Sequence, residues 1–378
     1  MRIAVLAHNL RDTGGLSVGK NIVHLLPKIA PQHYYLFLIP VGTGYEIRKD
    51  STRVNYIEIP EMGLIQRALF EKLKLPKLIK DFKPDLIWGL GNIGLRNPPC
   101  RQAILFHDAH LIYPERHYAL ETWTRKMKKR LLKRHLRKCL PRVDVVFCQT
   151  ETAKKRFADV FNYESDHIFI CPNAVSGFVT LPDEPKVPST IEPYADRFKL
   201  FVLTKYSPHK NIEGIVETYA TFREELESTL VILTIEESQH PNVPHVLEKI
   251  RALGLDNVII TVGRLRQDQL AEYFLACDAL LLPTLLESFS GTYLEAMHFG
   301  VPILTSDLDF AHDVCGKAAL YFDPWQPAAM KEAILKLKTN ASLREELIQQ
   351  GKERLRSSFR SWPDVVREAL DILGVAHE

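Results

Sequence analysis

The sequence predicts an α/β protein made of two doubly wound parallel sheets, and three observations carry that expectation. The chain has 378 residues, more than one ordinary domain holds, and two domains of roughly 180 residues are the natural division. Short apolar runs of strand length alternate with amphipathic helical stretches, and the alternation halts at a proline-rich stretch before starting again. Charge divides at the same place. Residues 1–180 hold 29 Lys and Arg against 16 Asp and Glu, and the remainder holds 20 against 30, so a net charge of +3 conceals an excess of 13 and a deficit of 10. Halves of opposite sign suggest domains with different partners. The expected boundaries are a first domain over 1–182, a linker over 183–194 and a second domain over 195–360.

In the first half, RIAVLA (2–7) is a buried strand, and a polar loop leads to a helix beginning near Leu16. Gly14, Gly19 and Lys20 fit G-x-x-x-x-G-K, but Asn21 stands where a phosphate-binding loop needs Ser or Thr for magnesium. YYLFLIP and VNYIEIP are further strands, and LIQRALFEKLKLPKLIKDFKP follows with helical spacing in part. PDLIWGLG is a strand running into Gly89–Gly94, which spells G-x-G-x-x-G. A dinucleotide fingerprint must open a helix, and Arg96-Asn97-Pro98-Pro99 forbids one here, so that reading is rejected. AILFHDAH ends a strand in His107 and Asp108, at the carboxyl edge where open α/β sheets bind ligands.

Residues 125–142 carry ten Lys and Arg in eighteen, with Met127, Leu131, Leu132, Leu136 and Leu140 recurring at helical spacing. Such a helix suits an anionic lipid surface or an anionic acceptor, or is a solvated outer face. No aromatic residue interleaves the charges, which argues against nucleic acid. DVVFCQTETAKKRF then reads as strand, turn and helix with Thr150 as N-cap, and HIFICPNAV as a strand with a turn at Asn173.

Pro182, Pro185, Pro188 and Pro193 mark the linker. Beyond it come KLFVLTKY, helix IEGIVETYATFREEL, strand TLVILTI, helix VLEKIRAL, strand VIITVG, helix DQLAEYFLAC and strand DALLLP, the order of a second parallel sheet. Lys205 and Lys210 flank the loop after the first of these strands, where two ammonium groups would offset a diphosphate. The last strand opens the stretch with the most chemistry in it, Leu280–Ser306. There a loop carries Glu287, a helix starts near Thr292 with Glu295 one turn in, and Gly300 and Pro302 end it. The N–H groups of Phe289, Ser290 and Gly291 sit at the helix start, where orphan donors and the helix dipole favour an anion. N–H donors between two carboxylates suit a ligand with phosphate in the middle and hydroxyls at both ends, the shape of a nucleotide sugar.

At these residues the chain resembles glycosyltransferase family 4, retaining enzymes of the GT-B fold. The family signature E-x-F-G-x-x-x-x-E-A-M-x-x-G-x-P stands here as Glu287, Phe289, Glu295, Ala296, Met297, Gly300 and Pro302. Ser290 replaces the usual Gly, with Gly291 one place later, and Lys205 replaces the usual Arg. The resemblance implies two facing Rossmann-like domains with a cleft between them, and a final helix, about 361–378, returning to the first domain with Trp362 near the crossing. It assigns Gly14 and Gly15 to a loop facing donor diphosphate and acceptor, and His107 to the anomeric centre. Glu287 would bind donor-sugar hydroxyls, Glu295 the ribose, and Lys205, Lys210 and residues 289–292 (through Thr292) the diphosphate. The loop at Gly263 and Arg264 would hold the nucleobase. Asp307-Leu308-Asp309 spells D-x-D after the wrong strand and is read as a loop, with no metal site expected.

The expected activity is hexose transfer from a nucleotide diphosphate sugar, the co-substrate, to a glycan or lipid-linked acceptor, with no cofactor. An ATP-dependent kinase using Gly14–Lys20, a sugar-nucleotide epimerase of the same fold and a silent nucleotide-sugar-binding scaffold are the other classes. With 46% apolar and 25% charged residues the chain has an ordinary globular composition. No apolar run approaches the 18 or so residues of a spanning helix, and MRIAVLAHNL reads as a strand rather than a signal peptide. Six cysteines without C-x-x-C spacing fit a reducing cytoplasm and argue against structural zinc. The expected location is therefore cytoplasmic, with peripheral contact at the inner face of an anionic membrane through the basic helix.

Overall fold

The computed structural model describes all residues except 12, 48–51, 119–121, 176–183, 185 and 378. Pro182, Pro185 and the start of the linker at 183 therefore lie outside the described residues. The chain divides into two compact units, one of Met1–Tyr113, Thr122–Ala174 and Arg360–Glu378, the other of Pro114–Glu121 and Val175–Phe359. Residues 114–121 thus group with the second unit.

The first unit is built on seven parallel strands: β1 (Arg2–Leu6), β2 (Tyr34–Pro40), β3 (Val54–Ile59), β4 (Leu86–Gly89), β5 (Arg101–Phe106), β6 (Val145–Cys148) and β7 (Ile168–Ile170). Their order is β3-β2-β1-β4-β5-β6-β7, every pair parallel. These strands are near-continuous apolar runs because both faces are covered by helices. Helix α1 (Thr13–Ile29) covers one face. It starts before Leu16, so Gly14 and Gly15 lie in its first turn and not in a loop. The stretch after β3 is α2 (Leu64–Leu69), a π-helical turn Phe70–Lys74 and α3 (Leu75–Phe82). After β4 no helix follows Gly89–Gly94, as the prolines require.

The basic helix is α4 (Trp123–Cys139), and α5 (Glu151–Phe161) follows β6 with Thr150 Oγ1 accepting from the Ala153 N–H at 3.1 Å. Leu136 and Leu140 of the predicted apolar stripe are buried, while Leu131 is 56% exposed and Trp123 is 72% exposed. The C-terminal helix α14 (Trp362–Ile372) belongs to this unit and buries Trp362, Val365, Val366, Ala369 and Leu370 in the core that contains α1 residues Val18, Ile22 and Leu26. It ends before the expected 378.

The second unit holds six parallel strands: β8 (Phe198–Val202), β9 (Thr229–Leu233), β10 (Ile259–Thr261), β11 (Ala279–Leu282), β12 (Ile303–Ser306) and β13 (Ala319–Phe322), in the order β10-β9-β8-β11-β12-β13. Its helices are α6 (Ile212–Thr221), α7 (Arg223–Leu226), α8 (Val243–Ala252), α9 (Leu270–Ala276), α10 (Gly291–Phe299), α11 (Asp309–Cys315), α12 (Pro327–Thr339) and α13 (Ala341–Ser358). The predicted single helix IEGIVETYATFREEL is broken at Phe222, whose backbone leaves the helical region between α6 and α7. Asp309 opens α11 and so is not in a loop, while Asp307 pairs with His312 at 2.6 Å. All six cysteines are free thiols. Among the described residues no helix is long and apolar enough to cross a membrane.

Candidate functional site

Strand order places the chemistry. In the second sheet the order reverses between β8 and β11, and the loops leaving their carboxyl ends are those that carry Lys205–Lys210 and Pro283–Ser290. A crevice at such a reversal is where open α/β sheets take ligands. The two loops are bonded to one another. Leu285 N–H donates to the His209 carbonyl at 2.7 Å, and Thr284 Oγ1 donates to the same oxygen at 3.2 Å. At the end of this ladder the Lys210 Nζ makes an ion pair with Glu287 Oε1, and Thr284 Oγ1 stands 3.5 Å from that same carboxylate oxygen. The two side chains assigned separately to phosphate and sugar therefore meet.

Immediately after Glu287, the buried Phe289 packs edge-on against Phe359, with ring centroids 5.9 Å apart, and anchors the turn into α10. Ser290 is the N-cap, at φ −102° and ψ 112°, and its side chain makes no capping bond. That backbone is extended, so Ser fits where the family has Gly. A Cβ built on Gly291 would meet no atom within 4 Å, so the helix start is open to a ligand. Thr292 lies half-buried in the first turn. Glu295 follows one turn in. It is half-buried and has no hydrogen-bond partner among the described residues, and burial pushes its carboxyl up to about 7.

On the other side of β8, Lys205 is half-buried in its loop and Gln239 Oε1 accepts from the Tyr206 N–H at 3.1 Å. Gly263, after β10, has φ +72°, a left-handed position that favours glycine, and Glu236 is its nearest side chain, 3.9 Å from where a Cβ would stand. Arg264 is exposed. Strand order puts this loop on the same side of the switch as Lys205, with β9 and β8 between its strand and the strand that leads to Glu287.

The first sheet reverses between β1 and β4, and a second cluster gathers at the carboxyl ends there. His107 follows β5; its N–H donates to Asn92 Oδ1 at 2.8 Å. Asn92 itself is in the left-handed region at φ +58°, within the glycine-rich segment that the sequence excludes as a dinucleotide site. A Cβ on Gly15 would lie 3.5 Å from the His107 ring, so helix α1 brings Gly15 to His107. Burial lowers the His107 pKa, against the pull of Asp108. Burial alone would raise Asp108, but the hydrogen bond to His110 and the charges of His110, His107 and Lys129 bring it below the ordinary carboxylate range. Lys129 of the basic helix thus acts on the His107 neighbourhood.

Gly14–Lys20 does not form a phosphate loop. All of it is helical, and Gly19 has no room for a Cβ because the Tyr45 hydroxyl and Leu10 sit against it. A phosphate loop needs several N–H groups turned toward one anion, and helical N–H groups beyond the first turn are used by the helix itself.

Sequence reasoning also missed a buried group in the first unit, after β1. His8 follows β1 as His107 follows β5, and it is 2% exposed with Nε2 3.6 Å from Glu71 Oε1. Arg67 Nε donates to the same oxygen at 2.7 Å. Burial alone would raise Glu71, but His8 and Arg67 hold it down to about 2. The signal that could have found His8 is the same histidine-after-strand position that marks His107.

Two family profiles match. One, described as "Glycosyl transferases group 1", covers residues 183–354, and one, "Glycosyltransferase Family 4", covers residues 25–176. Among curated relatives, the "O-antigen chain mannosyltransferase B" of Escherichia coli is 23% identical over 340 residues, 86% of this chain and 85% of its own length. The "Serotype-specific mannosyltransferase WbdA" of Escherichia coli is 23% identical over 235 residues, 61% of this chain but only 28% of the much longer relative. Among solved structures, sucrose-phosphate synthase (tll1590) from Thermosynechococcus elongatus superposes with a TM-score of 0.76 at 13% identity, covering 99% of this chain and 98% of that one. Anabaena Alr3699/HepE in complex with UDP and glucose gives 0.74 at 15%, covering 99% of both chains. At such identities these structures share the fold.

Proposed function

We propose, for a chain that belongs to the family 4 type of glycosyltransferase with the GT-B fold, that it moves a hexose from a nucleotide diphosphate sugar to an acceptor hydroxyl with retention at the anomeric carbon. The observation that carries this reading is the second unit's switch point, where Lys210 pairs with Glu287 across two bonded loops and the second of these runs into the open N-terminus of α10. Helix N–H groups and ammonium groups stabilise the departing diphosphate as its charge grows. Glu287 accepts from donor-sugar hydroxyls, Glu295 accepts from the ribose, and the Gly263–Arg264 loop meets the base. In the transfer, the acceptor oxygen bonds to the anomeric carbon on the face from which the phosphate leaves. The carbon–phosphate-oxygen bond breaks, and the acceptor's proton passes to the departing phosphate. In the first unit, His107, with Gly15 beside it, is the candidate catalytic residue.

The similar proteins support the donor class by their own names, two as mannosyltransferases and one as a complex with UDP and glucose. The test is thermal stabilisation by UDP, GDP and ADP and their sugars, since a ligand at 100 times its dissociation constant adds about 2.7 kcal/mol. One base series should raise the melting temperature, and no response to any of the three would overturn the reading. The kinase alternative loses its support because Gly14–Lys20 is helical. An epimerase would convert the donor without any acceptor.

For the acceptor, the reading is a glycan or lipid-linked molecule taken at or near an anionic membrane surface by a cytoplasmic enzyme. Supporting it, α4 keeps Lys128, Arg130, Arg134 and Lys138 exposed together with Trp123 and Leu131. The stretch Leu64–Lys74 adds exposed Ile65, Leu69 and Leu73. Apolar side chains among basic ones suit the headgroup boundary of an anionic bilayer.

A further inference from the structure

We propose that His117 is a positioning residue for the loop that carries Glu287. Residues 114–121 group with the second unit although the chain on either side belongs to the first, and His117 is 3% exposed within it. Its Nδ1 lies 2.7 Å from the Leu285 carbonyl oxygen, and its Nε2 accepts from Arg116 Nε at 3.3 Å. One tautomer satisfies both: a neutral imidazole with its proton on Nδ1, donating to Leu285. The ring stands edge-on to Trp325, with centroids 5.8 Å apart.

Leu285 is held from both sides. Its N–H donates to the His209 carbonyl at 2.7 Å, and its own carbonyl accepts from His117 Nδ1–H. His209 precedes Lys210, and Leu285 stands two residues before Glu287, the partner of Lys210. Leu285 and Leu286 are 8% and 1% exposed, so a carbonyl between them that lost its donor would stay unsatisfied or would turn the loop toward water. Turning the loop moves Glu287. The sheet does not need this bond, because β11 has ended at Leu282; what the bond sets is the aim of the carboxylate. The catalytic part of this inference rests on the reading of Glu287 as a ligand of the donor sugar.

Two replacements separate the ring from the bond. His117→Phe keeps an aromatic ring against Trp325 and removes the donor, whereas His117→Asn keeps an N–H near the Nδ1 position and removes the ring. In the ligand-free protein, hydrogen–deuterium exchange of the peptide spanning 283–290 should rise about five- to tenfold in His117→Phe and less than twofold in His117→Asn. With UDP-glucose and GDP-mannose as donors, His117→Phe should lower kcat about tenfold while the Kd of free UDP or GDP stays within twofold, and His117→Asn should keep most of the turnover. Unchanged exchange in His117→Phe, or equal losses in both variants, would show that His117 only packs and would overturn the proposal. Should the loop loosen as described while neither sugar nucleotide binds any of the proteins, the positioning role stands and the donor reading falls.

Discussion

Glu295 offers a prediction whose sign and size follow from its surroundings. Its carboxyl is half-buried on α10 without a partner among the described residues, and burial moves it from 4.5 up to about 7. A folded protein that holds a proton more tightly than the unfolded chain loses stability as pH rises from the unfolded value to the folded one. The penalty therefore grows between about pH 4.5 and 7 and is complete above that, reaching on the order of 3 kcal/mol. Glu295→Gln removes the charge, so urea unfolding should find the variant more stable than the wild type by up to that amount at pH 8 and nearly equal to it at pH 4.5. On the proposed ribose assignment, the charged carboxylate accepts from the two ribose hydroxyls far better than the protonated acid does, so nucleoside binding should expel the proton. Titration calorimetry with free uridine, guanosine and adenosine, which carry no phosphate to titrate, should show affinity about tenfold weaker at pH 6 than at pH 8. Measured in two buffers of different ionisation enthalpy, binding at pH 6 should release close to one proton per site. In Glu295→Gln both effects should vanish and the affinity should be low throughout. Wild-type affinity that is flat with pH, or higher at pH 6, would refute the assignment of Glu295 to the ribose.

Lys210→Ala should weaken nucleoside diphosphate binding by about 1.5–3 kcal/mol while leaving the free nucleoside nearly unchanged, and equal losses by calorimetry would remove Lys210 from the phosphate. Glu287→Gln should lower turnover with nucleoside diphosphate affinity nearly intact; because the two side chains are paired, the double variant should lose less stability than the two single losses added together. Activity should persist in EDTA, since ammonium groups and helix N–H donors carry the charge of the leaving group; loss restored by manganese or magnesium would contradict this. The protein should sediment with anionic vesicles at low salt and not with neutral ones. Replacing Lys128, Arg130, Arg134 and Lys138 with Ser should abolish that sedimentation, at about 1 kcal/mol per basic residue engaged, without changing donor hydrolysis. Lys129 is left in place because its charge acts on Asp108.

What the sequence determined by itself is local. Strands such as RIAVL, TLVIL and ALLL are apolar runs that can be stable only between two layers of helices, and the stretch from Glu287 to Pro302 carries its own turn, helix start and αL glycine stop. These depend on neighbours a few residues apart, so they are legible without a partner. Helix starts were less legible: α1 begins before Leu16 because two glycines can enter a first turn when the following residues supply the buried face, and this turned a near phosphate loop into helix. Tertiary structure alone decided which distant residues meet. Lys210 and Glu287 are 77 residues apart and pair because β8 lies beside β11 in the sheet. His117 finds Leu285 across 168 residues through a short excursion that no periodicity marks. His8 and Glu71 likewise meet only because the carboxyl end of β1 is covered by the π-helical turn at Phe70–Lys74. Periodicity encodes which face of an element is buried, whereas strand order and loop path, set by how whole layers pack, decide which carboxylate stands beside which ammonium group.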